Sequence, residues 1–199
     1  MEFGEVLRGR RMVRNYRTDP VEGEAVRRIV RVVQRAPNAG FSQGHRVVVV
    51  TDAAVRKGIA DVAEGWYLER GDHAWISTAP VHLVIGIREA SYHERYQESD
   101  KVDSEGAEIP WPVPFWWFDA GALFTLLQLA AIDEGLATGF FSPADPDELA
   151  AIASLVGFPD DVAIVGVMTV GHAADDPAVP VDQLAKRRKA VGDLVRWLD

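Results

Sequence analysis

The segment from Asp119 to Glu134 constrains the fold of this chain more than any other. Its 13 central residues, 120–132, are rich in apolar side chains and carry no charge. Gly135 follows at the position where a helix is expected to end. The uncharged stretch is shorter than the roughly 20 residues that cross a bilayer, and a helix that is apolar on most faces has to be buried. The sequence therefore predicts a buried helix, either at the centre of the domain or in a subunit interface.

Four short runs rich in apolar and β-branched residues predict strands on both sides of this helix. The predicted strands are 47–51, 80–87, 138–141 and 162–170. Helical patterns lie between them: one over 22–35, one that begins after Asp52, and one that begins after Asp145 and ends at Gly157. Strands interleaved with helices of unequal length predict an α+β fold, and we expect one domain over residues 1–199.

Residues 89–118 interrupt this pattern, because charge clusters alternate there with tryptophan and proline without a clear period. The segment is too long for an ordinary connection, so we expect a lid or an inserted segment. Trp111, Trp116 and Trp117 are candidates for an aromatic wall against a flat substrate. An equally good interpretation is that these rings pack on the core.

Charge is distributed unevenly along the chain, whose formal net charge is −9. Residues 1–35 sum to +4 and residues 183–199 to +3, whereas residues 36–182 sum to −16. An acidic chain is repelled by nucleic acid and by anionic membranes, so neither is an expected partner. The two basic ends mark either one anionic small molecule or two solvated faces. The first residues lack the pattern of a secretory signal, which predicts a cytoplasmic protein.

Several kinds of site are excluded by what the sequence lacks. The chain has no cysteine, which excludes disulfides, thiolate metal sites and a cysteine nucleophile. Its five histidines show no metal-binding spacing, and we expect no metal site. His82, in a predicted strand, is interpreted as a satisfied core residue. The glycine motifs of Rossmann and P-loop proteins and the nucleophile elbow of α/β-hydrolases are also absent.

Two basic motifs and one turn are candidates for ligand binding. The arginines of residues 10–14 lie within two turns and can converge on a phosphate, although a solvated helix end explains their spacing equally well. The turn at 36–43 supplies small residues and polar groups that suit the edge of a heteroaromatic ring, or it is an ordinary loop. The basic run at 186–189 is a candidate only if it meets the first basic cluster in space, since a charge run near a terminus is usually a solvated tail.

Taken in order, these segments resemble the nitroreductase superfamily of flavin enzymes. The opening Arg-Arg/His-Ser-x-Arg/Lys element of the family corresponds to residues 10–14, and its Ala-Pro-Ser-x-x-Asn-x-Gln-Pro-Trp turn to 36–45. Its long apolar helix ending in Gly-Leu corresponds to 119–136. Its Gly-Phe loop and final strand ending in Val-Gly-His correspond to 139–172, and its terminal Lys-x-Arg to 186–188. The likeness covers nearly the whole chain.

Some positions depart from the family pattern. Met12 and Asn38 stand where the family has serine, and Phe41 stands where it has asparagine. The family often supplies an asparagine and a lysine or arginine to the pyrimidine edge of the flavin from about residues 65–75. That segment contains Arg70 here but no such pair.

The resemblance implies a nitroreductase-like fold, with a central, mostly antiparallel sheet flanked by helices and the long buried helix at a homodimer interface. It also implies that FMN binds at that interface, with the turn at 37–43 contributed by the partner subunit. Arg14 would lie nearest the N1–C2=O edge of the ring, where a cation stabilises the anionic reduced flavin. The implied cofactor-binding residues are Arg10, Arg11, Met12, Arg14, Pro37, Asn38, Ala39, Gly40, Gln43, Phe140, Phe141, Ser142, Lys186 and Arg188.

The implied activity is that of an FMN-dependent oxidoreductase in which no side chain acts as acid or base. NAD(P)H would give a hydride to flavin N5, and an electron-poor small molecule, such as a nitroaromatic, a quinone or an enone, would take the electrons. Three alternatives stay open: a deazaflavin or other specialised flavin enzyme whose substrate is set by residues 89–118, a protein that binds flavin without turnover, and an interaction module without flavin. The sequence selects neither the acceptor nor NADH over NADPH.

Overall fold

The computed structural model describes residues 1–175 and 186–198. The described strands are β1 (His45–Val50), β2 (Val81–Ile87), β3 (Ala137–Phe141) and β4 (Ala163–Gly171). The described helices are α1 (Phe3–Gly9), α2 (Gly23–Val30), α3 (Ala53–Ala63), α4 (Gly65–Glu69), α5 (Trp75–Thr78), α6 (Ala90–Tyr96), α7 (Phe115–Asp133) and α8 (Pro146–Val156), with short 3₁₀ turns at Arg31–Arg35, Ala39–Phe41 and Val191–Asp193. Residues 181–185, the first part of the basic tail, lie outside the described residues, as does Asp199.

The four strands form one sheet in the order β1-β2-β4-β3, and every neighbouring pair is antiparallel. The strands that the sequence predicts are confirmed, with ends that differ by one or two residues. The α+β fold with a mostly antiparallel sheet is confirmed as well. A parallel bridge joins Met12 to Thr138, at the edge of the sheet.

The alternation of side chains along the strands divides the core into two layers. Leu83 and Met168 point to the layer that contains α2 and α7. Val84 and Val167, their neighbours along β2 and β4, point to the opposite layer, which contains α3, α5 and α8. Because successive residues of a strand face opposite sides, a run that is apolar at every position is buried on both faces. The sheet is therefore covered by helices on each side.

Helix α7 is the predicted apolar helix, but it begins earlier than predicted and is 19 residues long. By length and composition alone it is apolar enough to cross a bilayer. Leu123 and Leu127 are fully buried, however, and pack against the sheet and α2. Its polar side chains Asp119 and Gln128 are also buried and form hydrogen bonds inside the protein. These contacts are those of a core helix, and its far side stays partly exposed.

The segment at 89–118 contains more regular structure than the sequence indicates, because α6 and the first turn of α7 lie within it. Trp111 packs against Tyr96 of α6, with ring centroids 4.3 Å apart. The Glu108 carboxylate accepts hydrogen bonds from the Trp111 indole N–H and from a ring nitrogen of His93, both at 2.6 Å. These contacts hold the part of the segment around Glu108 and Trp111 against α6.

His82 lies in β2 and is fully buried. Its Nε2 is 2.8 Å from the Ile76 carbonyl oxygen, whereas its Nδ1 has no hydrogen-bond partner among the described residues. The core position expected of His82 is confirmed, but its ring is only half satisfied. Burial lowers the pKa of His82 to about 4, and the hydrogen bond to Ile76 opposes this effect only in part.

We predict that His82 makes the fold sensitive to acid. Its pKa is lower in the folded chain than the ordinary 6.5, so the unfolded chain takes up the proton first and acid favours unfolding. The free energy of unfolding, measured by urea denaturation, should therefore fall as the pH is lowered from about 6.5 to about 4. A His82→Leu variant should lose part of this pH dependence, whatever its stability at neutral pH. An unchanged slope in that variant would contradict the assignment.

Candidate functional site

Residues 12 and 13 lie against the edge strand β3, and residues 16 and 17 contact residues 172 and 173, so Arg14 is held between two backbone contacts. The Val13 N–H donates a hydrogen bond to the Thr138 carbonyl oxygen at 2.8 Å. Gly139 permits the close approach, because a Cβ at that position would lie 2.5 Å from the Val13 carbonyl oxygen. The backbone on which Arg14 stands is therefore held directly against the sheet.

The Arg14 guanidinium lies beside two aromatic rings. It is 5.2 Å from the centroid of Tyr67 and 5.8 Å from that of Trp75. Contacts of this kind contribute about 0.5–2 kcal/mol each, depending on exposure. The side chain is 38% exposed, and Nη1 is 3.8 Å from Oδ2 of Asp72. Arg14 thus keeps a fixed position while part of its charge stays accessible.

Tyr67 also forms part of the wall of a cavity of about 380 Å³, although Arg14 does not line this cavity. Its lining residues are Ala63, Trp66, Tyr67, Phe141, Ser142, Pro143, Ala144, Asp145 and Glu148. Trp75 connects Arg14 to the cavity. Its ring lies beside the Arg14 guanidinium and contacts Tyr67 at 5.1 Å and Phe141 at 5.7 Å between centroids. The structure therefore brings Arg14, Phe141 and Ser142 around one aromatic cluster. The volume and the apolar walls suit a small flat ligand.

Charged side chains near this cavity act on the pKa of Tyr67, which forms part of its wall. Burial raises the pKa of the Tyr67 phenol, the positive charge of Arg14 lowers it, and the carboxylate of Asp72 raises it. Two opposite charges therefore act on the same wall of the cavity.

The turn that contains Pro37, Asn38, Ala39, Gly40 and Gln43 is strained and rigid. Gly40, Phe41 and Gln43 have φ values of 60°, 62° and 52°, and left-handed backbone costs roughly 1–2 kcal/mol for a residue with a side chain. The Gln43 N–H donates to Oδ1 of Asn38 at 2.8 Å, which closes the turn. The turn presents the Phe41 side chain 70% exposed.

Asp119 anchors this turn from the first half of α7. Asp119 is 3% exposed, and its carboxylate accepts hydrogen bonds from the Ala39 N–H and the Tyr92 hydroxyl, both at 2.8 Å. Arg95 holds the turn from another side, through a hydrogen bond from Nε to the Gly40 carbonyl oxygen at 2.9 Å. Burial raises the pKa of the Tyr92 phenol, and the adjacent Asp119 carboxylate raises it further. The strained conformation is thus determined by its surroundings.

Other residues predicted for the site lie apart from the cavity within one chain. None of residues 37–43 lines it. Phe140 faces the opposite layer of the core, where its ring contacts Phe124 at 4.7 Å between centroids. The sulfur of Met12 is 3.5 Å from the side-chain amide of Gln128, on the α7 side of β3.

The remaining predicted cations and rings are also located by the structure. Arg10, Arg11, Lys186 and Arg188 are exposed and make no ion pair with a described residue. Arg11 lines a separate pocket of about 150 Å³ next to Thr138. Trp117 is 45% exposed, whereas Trp111 and Trp116 pack against α6. None of the three tryptophans lines the cavity beside Tyr67. Within residues 1–175 and 186–198, no group of three or more acidic or histidine side chains is placed to hold a metal ion.

Sequence reasoning missed the cavity residues that follow α3. Trp66, Tyr67, Asp72 and Trp75 surround Arg14 or line the cavity, yet none carries a motif. The available signal was the concentration of aromatic residues at 66–75. Asp119 had a clearer signal, because it is the acid at the start of an otherwise uncharged apolar stretch.

Comparisons with known proteins agree with this architecture. A family model described as the nitroreductase family matches residues 7–172. A protein of Thermus thermophilus named NADH dehydrogenase is 27% identical over 187 residues, covering 84% of both chains. A 5,6-dimethylbenzimidazole synthase of Rhodobacter capsulatus is 29% identical over 185 residues, covering 84% of this chain and 81% of the other.

Two solved structures illustrate the likeness of fold. A protein of Bacillus subtilis described as a nitroreductase superposes with a TM-score of 0.76 at 17% identity, covering 99% of each chain. A nitroreductase family protein of Clostridium difficile superposes with a TM-score of 0.67 at 22% identity, covering 99% of this chain and 98% of the other. At these identities the superpositions show a shared fold.

The anchoring role of Asp119 predicts the effect of removing its partner. Tyr92→Phe deletes a hydrogen bond to a buried carboxylate, which should lower the free energy of unfolding by about 1.5–3 kcal/mol. Tyr96→Phe is the matched control, since the Tyr96 hydroxyl makes no hydrogen bond with the described residues and its loss should cost much less. Urea denaturation of both variants measures the difference. Equal losses would contradict the anchor.

Proposed function

This chain belongs to the nitroreductase family of NAD(P)H-dependent oxidoreductases, and from that premise we propose that it binds FMN in the cavity beside Tyr67 and Ser142. The electrons would come from NAD(P)H and pass to an electron-poor small molecule of the nitroaromatic, quinone or enone type. The observation that carries this proposal is the position of Arg14, which Tyr67 and Trp75 hold next to an apolar, ring-lined cavity.

The residues that are present fit a flavin. Trp66, Tyr67 and Phe141 supply flat apolar surface along the cavity, as a fused aromatic ring requires. Arg14 supplies a cation whose nearest acidic group in the described chain is 3.8 Å away, so its donors stay available for an anionic ring edge. The exposed cations Arg10, Arg11, Lys186 and Arg188 are suited to a phosphate.

The protein contributes position and electrostatics, and a bound FMN would supply hydride acceptance and donation. The positive charge of Arg14 stabilises negative charge on a ligand next to Tyr67. Trp66 and Phe141 supply apolar surface to the cavity wall. No side chain of the cavity has to transfer a proton for the site to work in this way.

We propose that the site is completed by a second copy of the chain. The partly exposed side of α7 carries Phe118, Ala122, Thr125 and Leu129, spaced so that they lie on one face of the helix. Such a stripe on a long apolar helix suits an interface between two copies. In that dimer the turn at 37–43, with Phe41 at its tip, would reach the site of the other subunit.

The proposal also covers substrate choice and the cellular location of the reaction. Relatives carry names as different as NADH dehydrogenase and 5,6-dimethylbenzimidazole synthase, so those names select no acceptor for this chain. We place the reaction in the cytoplasm, where NAD(P)H is available, and we assign substrate choice to the segment at 89–118 within a single domain of residues 1–199.

The role of Arg14 predicts the affinity for FMN. Arg14→Ala removes a charge-assisted contact worth about 1.5–3 kcal/mol, so the dissociation constant for oxidised FMN should rise about tenfold to a hundredfold. Arg17→Ala is the matched control, because Arg17 pairs with Asp19 at the surface and should leave the affinity unchanged. Quenching of FMN fluorescence measures both.

Two results with the native chain, one for FMN binding and one for its reduction by NADH or NADPH, would reject the proposal in whole or in part. A native chain that binds no FMN contradicts it altogether. A native chain that binds FMN but is not bleached anaerobically by NADH or NADPH is a flavin-binding protein without turnover, the alternative that the sequence left open.

The proposed dimer predicts the effect of a charge on α7. Thr125→Arg places a cation in the exposed apolar stripe, and we expect it to convert the dimer to a monomer in sedimentation velocity and to weaken FMN binding. Thr51→Arg makes the same chemical change at an exposed position after β1, and that variant should stay dimeric. A Thr125→Arg variant that keeps the mass of the native dimer would contradict the interface.

A further inference from the structure

The proposed function gives no role to Asp72, although its carboxylate lies within ion-pair distance of Arg14. We propose that Asp72 is a positioning residue that acts on bound FMN through Arg14. Its negative charge offsets part of the Arg14 cation, so the anionic reduced flavin is stabilised less and its reduction potential is lower than Arg14 alone would set. This inference rests on the proposed function and assigns a residue that sets the reducing power of the same site.

The position of Asp72 is determined by the end of helix α4. The Asp72 N–H donates to the Tyr67 carbonyl oxygen at 3.1 Å, and the Gly71 N–H donates to the Leu68 carbonyl oxygen at 3.0 Å. Gly71 has a φ of 82°. This pattern of bonds around a left-handed glycine is a Schellman motif. The carboxylate and the Tyr67 ring that lines the cavity therefore belong to one short, hydrogen-bonded unit.

Asp72 acts on Arg14 by charge rather than by a clamp. The closest approach, 3.8 Å from Oδ2 to Nη1, is too long for a hydrogen bond. The rings of Tyr67 and Trp75 hold the guanidinium instead. Removing the carboxylate should therefore leave Arg14 in place and change only the field around it.

The partial burial of Arg14 and Asp72 determines how strongly their charges act on a nearby ligand. The side chain of Asp72 is 25% exposed and that of Arg14 38%, so water screens the pair only in part. The two charges also have opposite effects on the pKa of Tyr67, which Arg14 lowers and Asp72 raises, and Tyr67 forms part of the cavity wall. A ligand next to Tyr67 would experience the sum of the two.

A lower reduction potential has opposite effects on the two half-reactions of the proposed cycle. A lower potential makes the two-electron-reduced cofactor a stronger reductant toward the acceptor. It also reduces the driving force for hydride transfer from NAD(P)H by the same amount. Asp72 would thus favour acceptors that are harder to reduce.

The test is the midpoint potential of FMN bound to the native chain and to Asp72→Asn, which keeps the size of the side chain and removes its charge. We expect the ratio of affinities for reduced and oxidised FMN to rise about tenfold, which is about 30 mV for a two-electron couple. Asp61→Asn is the control, because Asp61 is an exposed residue of α3 that pairs with Lys57. It makes the same change in net charge and should not shift the potential.

A second pair of variants tests whether the effect passes through Arg14. In an Arg14→Gln background, measured at saturating FMN, Asp72→Asn should no longer shift the potential. The inference is overturned by an unchanged or lower potential in Asp72→Asn, by an equal shift in Asp61→Asn, or by a shift that persists without Arg14. Failure of the native chain to bind FMN rejects the proposed function and this inference together. FMN binding with an unshifted potential rejects the inference alone.

Discussion

The approach of residues 12 and 13 to strand β3 is the contact on which the candidate site depends. The hydrogen bond between Val13 and Thr138 fixes the backbone, and the absence of a side chain at Gly139 lets the two segments meet. Arg14 projects from this backbone toward Tyr67 in the layer that contains α3 and α5. An N-terminal arginine that the sequence places far from the cavity residues therefore becomes their neighbour.

The conformation of the turn at 37–43 depends on one buried acid in an apolar helix. Asp119 would be costly in α7 if its carboxylate were unpaired, but it receives hydrogen bonds from Ala39 and Tyr92. These bonds connect α6 and α7 to a turn whose left-handed residues include Phe41. The long helix thus contributes its apolar side chains to the core and its acid to the turn that we assign to the partner's site.

Much of the fold could be predicted from the sequence, because strands and helix ends have local signals. Asp52 caps α3 and Gly157 ends α8 in the left-handed conformation, both as predicted. Much of the candidate site could not be predicted. Tyr67 and Asp72 belong to a five-residue helix and its terminal turn, which are too short to show a period, and their relation to Arg14 is a tertiary contact. The convergence of the two basic ends on one phosphate stays a prediction. Lys186, at the start of the second basic end, is exposed in the structure.

The most direct test of the central claim is a crystal structure of the protein reconstituted with FMN. We predict that the ring lies in the cavity between Tyr67 and the segment that follows Phe141, with its pyrimidine edge at the Arg14 guanidinium. A turn at 37–43 from a second copy should lie beside it. FMN bound elsewhere, or bound in this cavity with Arg14 turned away from the ring, would contradict the account.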